Sequence, residues 1–559
     1  MRRILLFSIV CLSVLCLFAQ KTPKAVQKSS QSMASLLTYK NGILADSGTA
    51  FFIGDNGDLV AAASLLAGVD SAVVIDAKGV VRPVRNIVGV NDMFGCVRIR
   101  VAWDKKIVPL SYKGSKVQNG DVLYMPSYGG KKGGEVRPLT VSSVDSVYSN
   151  AYYTLDASMR KAFTGYPLLN ANGELVAIMQ PSATTDTLKG YAVSATILPS
   201  MSASVSNFGR GFFNGMAIRT ALPARKEDAL QCLYMQGIIG DSLSYALTIE
   251  EFLSAFPATS EGYITKGEYE ALYRRDMDAA SKAWDKAMEL ADSVAYVHFS
   301  KAKTIFNIVQ SGDSTSHPML SNINAFASID AAIASDPQPL YLNYKADMLF
   351  LCGRMSEAAG AYEALAVTNL RSPEMFAKAS QCYGAIEEYD KSIAMLDSAV
   401  NYFGSIGRKS SAPYILTRAI VKMTAGRYRD AVHDYNSYEE VVGGGLNANF
   451  YYMREQAELK ARMFQQALND IEMAIYLDSA NAMYYVEKGV LCYRVRMTDE
   501  GLRVMEKAAE LAPDAPDVHY LLGCLYSQKG DKSNARKSLE KAVSLGHPDA
   551  KTKLDELDS

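Results

Sequence analysis

Gly48-Thr49-Ala50-Phe51-Phe52-Ile53, then Asn56-Gly57, then Asp58-Leu59-Val60-Ala61-Ala62-Ala63-Ser64-Leu65-Leu66 is the stretch from which the first part of this chain is read. Two further segments follow it in order. They are Asn91-Asp92-Met93-Phe94-Gly95-Cys96-Val97-Arg98 and Ala162-Phe163-Thr164-Gly165-Tyr166-Pro167-Leu168-Leu169-Asn170-Ala171-Asn172-Gly173-Glu174-Leu175-Val176-Ala177-Ile178. No histidine stands among them, because the five in the chain are His298, His317, His433, His519 and His547. Histidine-based catalysis is therefore closed to this half.

At 559 residues the chain is too long for one core and implies two or three domains. Its formal net charge is −1 with acids and bases interspersed, which leaves no electrostatic footprint for nucleic acid. A hydrophobic content of 49% and the absence of long low-complexity tracts imply globular folding throughout. Residues 1–20 read as a secretory signal: Arg2-Arg3, a mostly apolar run from Ile4 to Phe18, and Ala19-Gln20 as the cleavage neighbourhood. The mature chain is expected to begin near Gln20 or Lys21 and to be periplasmic, secreted or envelope-associated, with no integral membrane segment left. Leu15 stands before Cys16 where a lipoprotein signal usually carries a small residue, so a soluble exported protein is favoured. The cysteines that follow are 96, 232, 352, 382, 492 and 524. They have no disulfide-framework spacing, and the last four are expected as small buried apolar groups.

In order and separation the three segments resemble those of trypsin-like serine proteases, especially the bacterial HtrA-type members. The first is similar to a G-[ST]-G-F-[FIV]-I strand, a turn, and a strand ending in T-x-A-H-V-V, whose histidine is the general base. Ser64 stands in its place. The second is similar to the D-L-A-L-L-K stretch that supplies the orienting aspartate; Met93 falls on that position and Asp92 one residue early. The third resembles G-[DN]-S-G-G-P-L followed by N-x-x-G-x-V-x-G-I, with Thr164 for the nucleophilic serine and Ala162 for the oxyanion-hole glycine. Gly190-Tyr191-Ala192-Val193-Ser194-Ala195 resembles the strand after the nucleophile loop and would complete a second barrel near residue 200.

The resemblance implies an all-β trypsin-like double β-barrel over residues 30–203 whose chemistry is degenerate. A hydroxyl is a poor nucleophile near neutral pH unless a neighbouring base takes its proton and a third group holds that base. Alanine at the oxyanion glycine resists the backbone conformations that glycine allows. Several such losses together imply a pseudoprotease, not an enzyme. Ser158-Met159-Arg160-Lys161 has S-x-x-K spacing, yet the same spacing from Ser538 to Lys541 falls inside a repeat helix, so chance accounts for it. Thr164 with Asp92 would pair a hydroxyl with a feeble base. Gly129-Gly130-Lys131-Lys132-Gly133-Gly134 lacks the G-K-[ST] ending of a phosphate loop and reads as a flexible hairpin loop. No cofactor and no metal site is expected, since there is no C-x-x-C or H-x-x-x-H and the histidines are scattered.

The C-terminal half has a period of 34 residues. Ala474, Ala508 and Ala542 share it, as do Ala467, Gly501 and Ala535; Ile471, Met505 and Leu539; and the pair Gly489 and Gly523. The spacing resembles that of tetratricopeptide repeats, in which each unit is a helix, a turn and a helix. Upstream, Ala358, Tyr362 and Leu365 match the columns, then Ser392, Leu396 and Ala399, then Ala431, Tyr435 and Tyr438. Ala280, Trp284 and Ala287 fit a second helix, and residues 296–336 a unit split by a loop. About eight units over 261–551 form an all-α solenoid, above the minimum of about three for a stable stack.

By family analogy the concave face is lined from the first helix of each unit, here by Asn343, Asp347, Gln381, Asn449, Tyr452, Gln456, Asp517 and Tyr520. Amides and tyrosines suit capture of a peptide or protein partner. Residues 204–260 match neither pattern and are expected as a linker with short helices, in which Thr248-Ile249-Glu250-Glu251 reads as an N-cap box. The whole is expected to be an exported, non-catalytic binding or scaffold protein. The alternatives are a divergent serine/threonine-type peptidase using Thr164, with the solenoid delivering substrate, and an inert structural component of an envelope complex.

Overall fold

The computed structural model describes residues 22–558 apart from 103–105, 131–133, 158–162, 182–188, 209–217, 313–316 and 405–407. A short helix α1 (Lys24–Lys28) precedes six strands: β1 (Met33–Lys40), β2 (Ile43–Ile53), β3 (Asp58–Ala62), β4 (Ser71–Asp76), β5 (Val81–Asn91) and β6 (Cys96–Val101). They run in the order β5-β4-β1-β2-β3-β6, and pairing of β5 with β6 closes the ring. Asn41 and Gly42, both at positive φ, make the two-residue turn that fixes the β1–β2 register from Lys40↔Ile43 to Met33↔Phe51. A second closed antiparallel barrel follows, ordered β10-β11-β12-β9-β8-β7. Its strands are β7 (Val122–Pro126), β8 (Val136–Val147), β9 (Asn150–Leu155), β10 (Pro167–Leu169), β11 (Leu175–Gln180) and β12 (Gly190–Ser194).

The period-2 alternation of side chains along a strand builds three cores from these barrels. Ala50 and Phe52 fill the first barrel with Leu59, Val97 and Ile99, while Phe51 between them points the other way. Leu168 and Ala177 fill the second barrel with Leu139 and Leu155, while Leu169 and Ile178 point out of it. The outward residues meet in a third cluster with Val60, Phe94, Val193 and Ile197, which seals one barrel against the other. Each fully buried side chain of this size is worth about 1.5–3 kcal/mol of transfer free energy, so the seam between the barrels is as well defended as either interior.

The expected joint is structured where it is described. Strand β13 (Arg219–Thr220) adds in parallel to β5, and Ala221 N–H donates to Ile87 O at 2.8 Å. Helices α2 (Lys226–Ile239), α3 (Ser242–Ala255), α4 (Ser260–Tyr269) and α5 (Met277–Leu290) follow. Glu251 of α3 binds Asn86 of β5 at 3.4 Å and Arg219 at 3.3 Å, tying these helices to the first barrel. Thr248 does not begin a helix. Gly240 ends α2, and Asp241 caps α3 by accepting Ser244 N–H at 2.9 Å, so Thr248 falls mid-helix and bonds back to Ser244 O. The chain divides into two compact units, 1–292 and 293–559, which places the helices through α5 in the first.

The second unit is a run of helices: α6 (Ala295–Gln310), α7 (Asn322–Ser335), α8 (Pro339–Leu351), α9 (Met355–Ala364), α10 (Pro373–Ala385), α11 (Tyr389–Asn401), α12 (Ala412–Thr424) and α13 (Tyr428–Val442). It continues through α14 (Ala448–Lys460), α15 (Phe464–Leu477), α16 (Ala482–Arg494), α17 (Thr498–Leu511), α18 (Pro516–Lys529), α19 (Lys532–Ser544) and α20 (Ala550–Asp558). The small and large columns of the 34-residue period are fully buried at Ala467, Ile471 and Ala474, at Met505 and Ala508, and at Ala535, Leu539 and Ala542. Gly523 shows why the column is small: a Cβ there would lie 2.6 Å from Leu539 Cγ. Of the four cysteines expected as buried, Cys382, Cys492 and Cys524 are, whereas Cys352 at the end of α8 is half-buried.

Candidate functional site

The three segments quoted at the outset converge at one place on the first unit. Ser64 lies exposed on a 3-10 turn (Ala63–Leu66) directly after β3. Ala63 N–H of that turn donates to Gly95 O at 2.8 Å, in the β5–β6 turn that carries Asp92 and Met93. Asp92 and Met93 are both exposed at its tip, and Asn91 holds the turn by accepting Phe94 N–H at 3.0 Å. The third segment arrives from the other barrel. Gly165 N–H donates to Met179 O at 2.9 Å, and its φ of +82° sets its backbone against β3, where a Cβ would stand 2.7 Å from Ala62 N. Thr164, half-buried, is thus adjacent to the residue that touches Ala62, two positions before Ser64. Behind them Gln180 reaches Cys96 Sγ at 3.8 Å, and burial pushes that thiol up to about 12. Ala162, with Ser158 and Lys161 and the loop residues Lys131-Lys132-Gly133, lies outside the described residues.

A cleft of about 360 Å³ opens beside this convergence. Asn91, Asp92, Met93 and Phe94 wall it from the first barrel, and Tyr148, Asn150, Thr196 and Ser200 from the second. Asn91 Nδ2 donates to Ser200 Oγ at 2.9 Å across it. Tyr148 and Ser149, at φ +47° and +65°, form the β8–β9 turn, and Tyr148 is 74% exposed on the rim. A bulky residue in the left-handed region is an uncommon, strained choice, of a kind that clusters at functional sites. Sequence reasoning missed it, because Tyr-Ser carries none of the Asn-Gly signal that marks such turns.

Elsewhere the two barrels are held by charge. Asp58, fully buried at the start of β3, accepts Arg98 Nε at 2.8 Å and Arg100 Nε at 2.6 Å. Glu174 is held down at about 2 by Lys113 at 2.8 Å, helped by Asn170 and Ser115, which fixes the segment between the barrels to the β10–β11 turn. Among the described residues no group of three or more His, Cys, Asp or Glu is arranged to hold a metal. None of their helices is long and apolar enough to cross a membrane.

In the second unit the residues expected on the concave face fall into local groups. Asn343 and Asp347 meet on α8 at 3.4 Å, and Asp347 is further engaged by Lys378 at 2.6 Å and by Tyr362 OH. Gln381 and Asn449 are exposed on α10 and α14. Tyr452 packs on Tyr484 with ring centroids 5.4 Å apart, and Gln456 donates to Glu455 at 2.8 Å. Asp517 and Tyr520 gather around His547, which stacks on the tyrosine ring at 4.0 Å and lies 3.3 Å from the aspartate. Glu455 and Glu458, buried on α14 beneath Gln456, were not singled out from sequence, although Glu455 stands in the column of Gly489 and Gly523.

Comparison with known proteins agrees with this architecture. The family model described as a trypsin-like peptidase domain matches residues 48–178, and that of the tetratricopeptide repeat matches 516–545. Among solved structures, YrrB, a TPR protein with an unusual peptide-binding site, matches at 20% identity over 35% of this chain and 98% of its own, with a TM-score of 0.30. The serine endoprotease from Yersinia pestis matches at 17% identity over 32% of this chain and 63% of its own, with a TM-score of 0.28. The HtrA-type protease AlgW with tripeptide matches at 19% identity over 32% and 60%, with a TM-score of 0.28. This chain therefore spans less than two thirds of the length of either protease. No curated protein matches. A trypsin-like domain and tetratricopeptide repeats are joined in one chain.

Proposed function

We propose that this chain is an exported, non-catalytic binding protein in which the trypsin-like domain is a recognition module and the repeats are a scaffold for a protein or peptide partner. The observation that carries the reading is Ser64. It occupies the position of the general base in a unit whose 292 residues contain no histidine, while Thr164 occupies that of the nucleophile. Without a base to take its proton a hydroxyl has no means of attack. The cleft beside it supports recognition. Exposed Met93 and Tyr148 offer apolar and aromatic contact, and Asn91, Asn150 and Thr196 offer hydrogen bonds to an extended chain. Export rests on the charged, apolar and small-residue order of residues 1–20.

The test is incubation of residues 21–559 with a complex peptide pool, read by mass spectrometry for new termini, with Thr164→Ala as control. The expected result is no new terminus and retention of a subset of peptides. New termini that vanish in T164A would establish a peptidase instead.

A further inference from the structure

The solenoid buries two carboxyl groups, each with one oxygen that accepts no hydrogen bond. Glu455 is fully buried and Glu458 is 3% exposed, one turn apart on α14. Glu455 occupies the column in which the next two repeats have Gly489 and Gly523, where even a Cβ would collide with the facing helix. Glu455 Oε1 and Glu458 Oε2 have no hydrogen-bond partner, which penalises burial more when the group is charged. Arg454, the cation that precedes Glu455 on the same helix, is already committed. Arg454 gives Nε and Nη2 to Asp470 at 2.6 and 2.9 Å, and Nη1 to Glu439 at 2.6 Å and Asn436 at 2.9 Å.

We propose that the seam between α14, α15 and α16 is a proton-operated joint, which Glu455 and Glu458 hold closed while protonated and loosen when they ionise. The groups that face the pair are Asp470 from α15, Glu487 and Arg494 from α16, Arg454 and Gln456 from α14 itself, and Glu439 of α13 through Arg454. Acids outnumber bases in that set, and Arg454 is divided among Asp470, Glu439 and Asn436. Ionised Glu455 would oppose Glu487 across the seam, at the level where the Tyr452 and Tyr484 rings bridge it. Opening would therefore part those two rings.

The direction of the effect follows from the titration. Burial, reinforced by Glu487 and Asp470 against Gln456 and Arg494, pushes Glu455 up to about 7. Burial, reinforced by Asp470 and Glu455 against Arg454, pushes Glu458 up to about 8. The closed seam therefore holds more protons than the open one. Its stability is fully present below the ordinary glutamate range, falls as pH rises through about 7 and 8, and is constant beyond. Within that window each group raises the opening constant about tenfold per pH unit.

The experiment is amide hydrogen exchange on the full chain from about pH 5 to about pH 9, corrected for the intrinsic rate, comparing wild type with the double variant Glu455→Gln, Glu458→Gln. The expected result is opening of α14–α16 that rises by at least about tenfold across the window in wild type and stays level in the variant. A wild-type seam with no excess pH dependence, or a variant that keeps it, overturns the proposal. Because the variant could fail to fold, carboxyl-carbon NMR of wild-type protein labelled in glutamate gives a second reading. Two glutamates titrating well above the usual range support the joint, and all titrating near about 4–5 overturns it.

Discussion

Gly165 is the residue on which the meeting of the two barrels turns. Its φ of +82° is one that side-chain-bearing residues rarely adopt, and the space where a methyl would go is already occupied by the Ala62 backbone. Gly165→Ala therefore combines a left-handed backbone penalty with overpacking, about 2–4 kcal/mol in total. The expected outcome is a fall in the melting temperature of the first unit without change in the second, checked by calorimetry. That no histidine precedes His298 was legible in the sequence, as a matter of counting. The strained Tyr148 was not, since φ at a turn depends on the register of the two strands it joins. Glu455 lay between these cases. The 34-residue column put a glutamate where the later repeats have glycine, but the periodicity could not say whether the side chain turned inward.

Between the helices of the second unit a ladder of buried and half-buried cations replaces some of the apolar contacts that the repeat pattern implies. Arg418 of α12 bridges Asp434 of α13 at 2.7 and 2.8 Å to Asp397 of α11 at 2.6 Å. Arg454 of α14 repeats the arrangement with Asp470 and Glu439, and Lys488 of α16 with Glu500 at 2.8 Å and Glu472 at 2.9 Å. In each case one cation on a first helix joins its own second helix to the one before, so the ladder ties successive repeats together. Asp434 is fully buried and also takes Lys422 at 2.7 Å. Asp434→Asn leaves half-buried Arg418 and buried Lys422 without their common counter-charge and should cost about 3–5 kcal/mol. Chemical denaturation of residues 293–559 measures it. Replacing Arg418, Lys422 and Asp434 together by apolar residues of similar size should recover most of the loss, because the desolvation of all three charges is then removed. At this scale helices were legible through the small and large columns and ion pairing was not: Arg454 and Lys488 stand one 34-residue period apart, but the partners of the three cations lie at unequal separations, so no column marks the pairing.

At the scale of the whole chain each compact unit contains its own cores. The three β clusters, and the helical one of Ala229, Leu233, Tyr245, Ile249, Phe252 and Tyr269, lie within residues 1–292. The clusters around Tyr362 and Phe376, around Tyr435 and Phe450, and around Leu502 and Leu525 lie within 293–559. Periodicity of 34 and of 2 made both architectures readable, but a division between them leaves no periodic trace. The sequence offered residue 261 as the start of the solenoid, where the helical pattern begins. Glu251 binding Asn86 and Arg219 instead ties the helices that follow β13 to the first barrel, a tertiary contact that no local pattern encodes. Residues 22–292 and 293–559, expressed separately, should therefore each unfold cooperatively. A cut at 260 should leave the first fragment without Tyr269 and Trp284, whose buried faces complete its helical layer, and lower its melting temperature. Losing even one buried aromatic side chain costs about 3–5 kcal/mol, so calorimetry of fragments ending at 260 and at 292 distinguishes the two boundaries. Equal stability would mean that α4 and α5 belong energetically to the repeats.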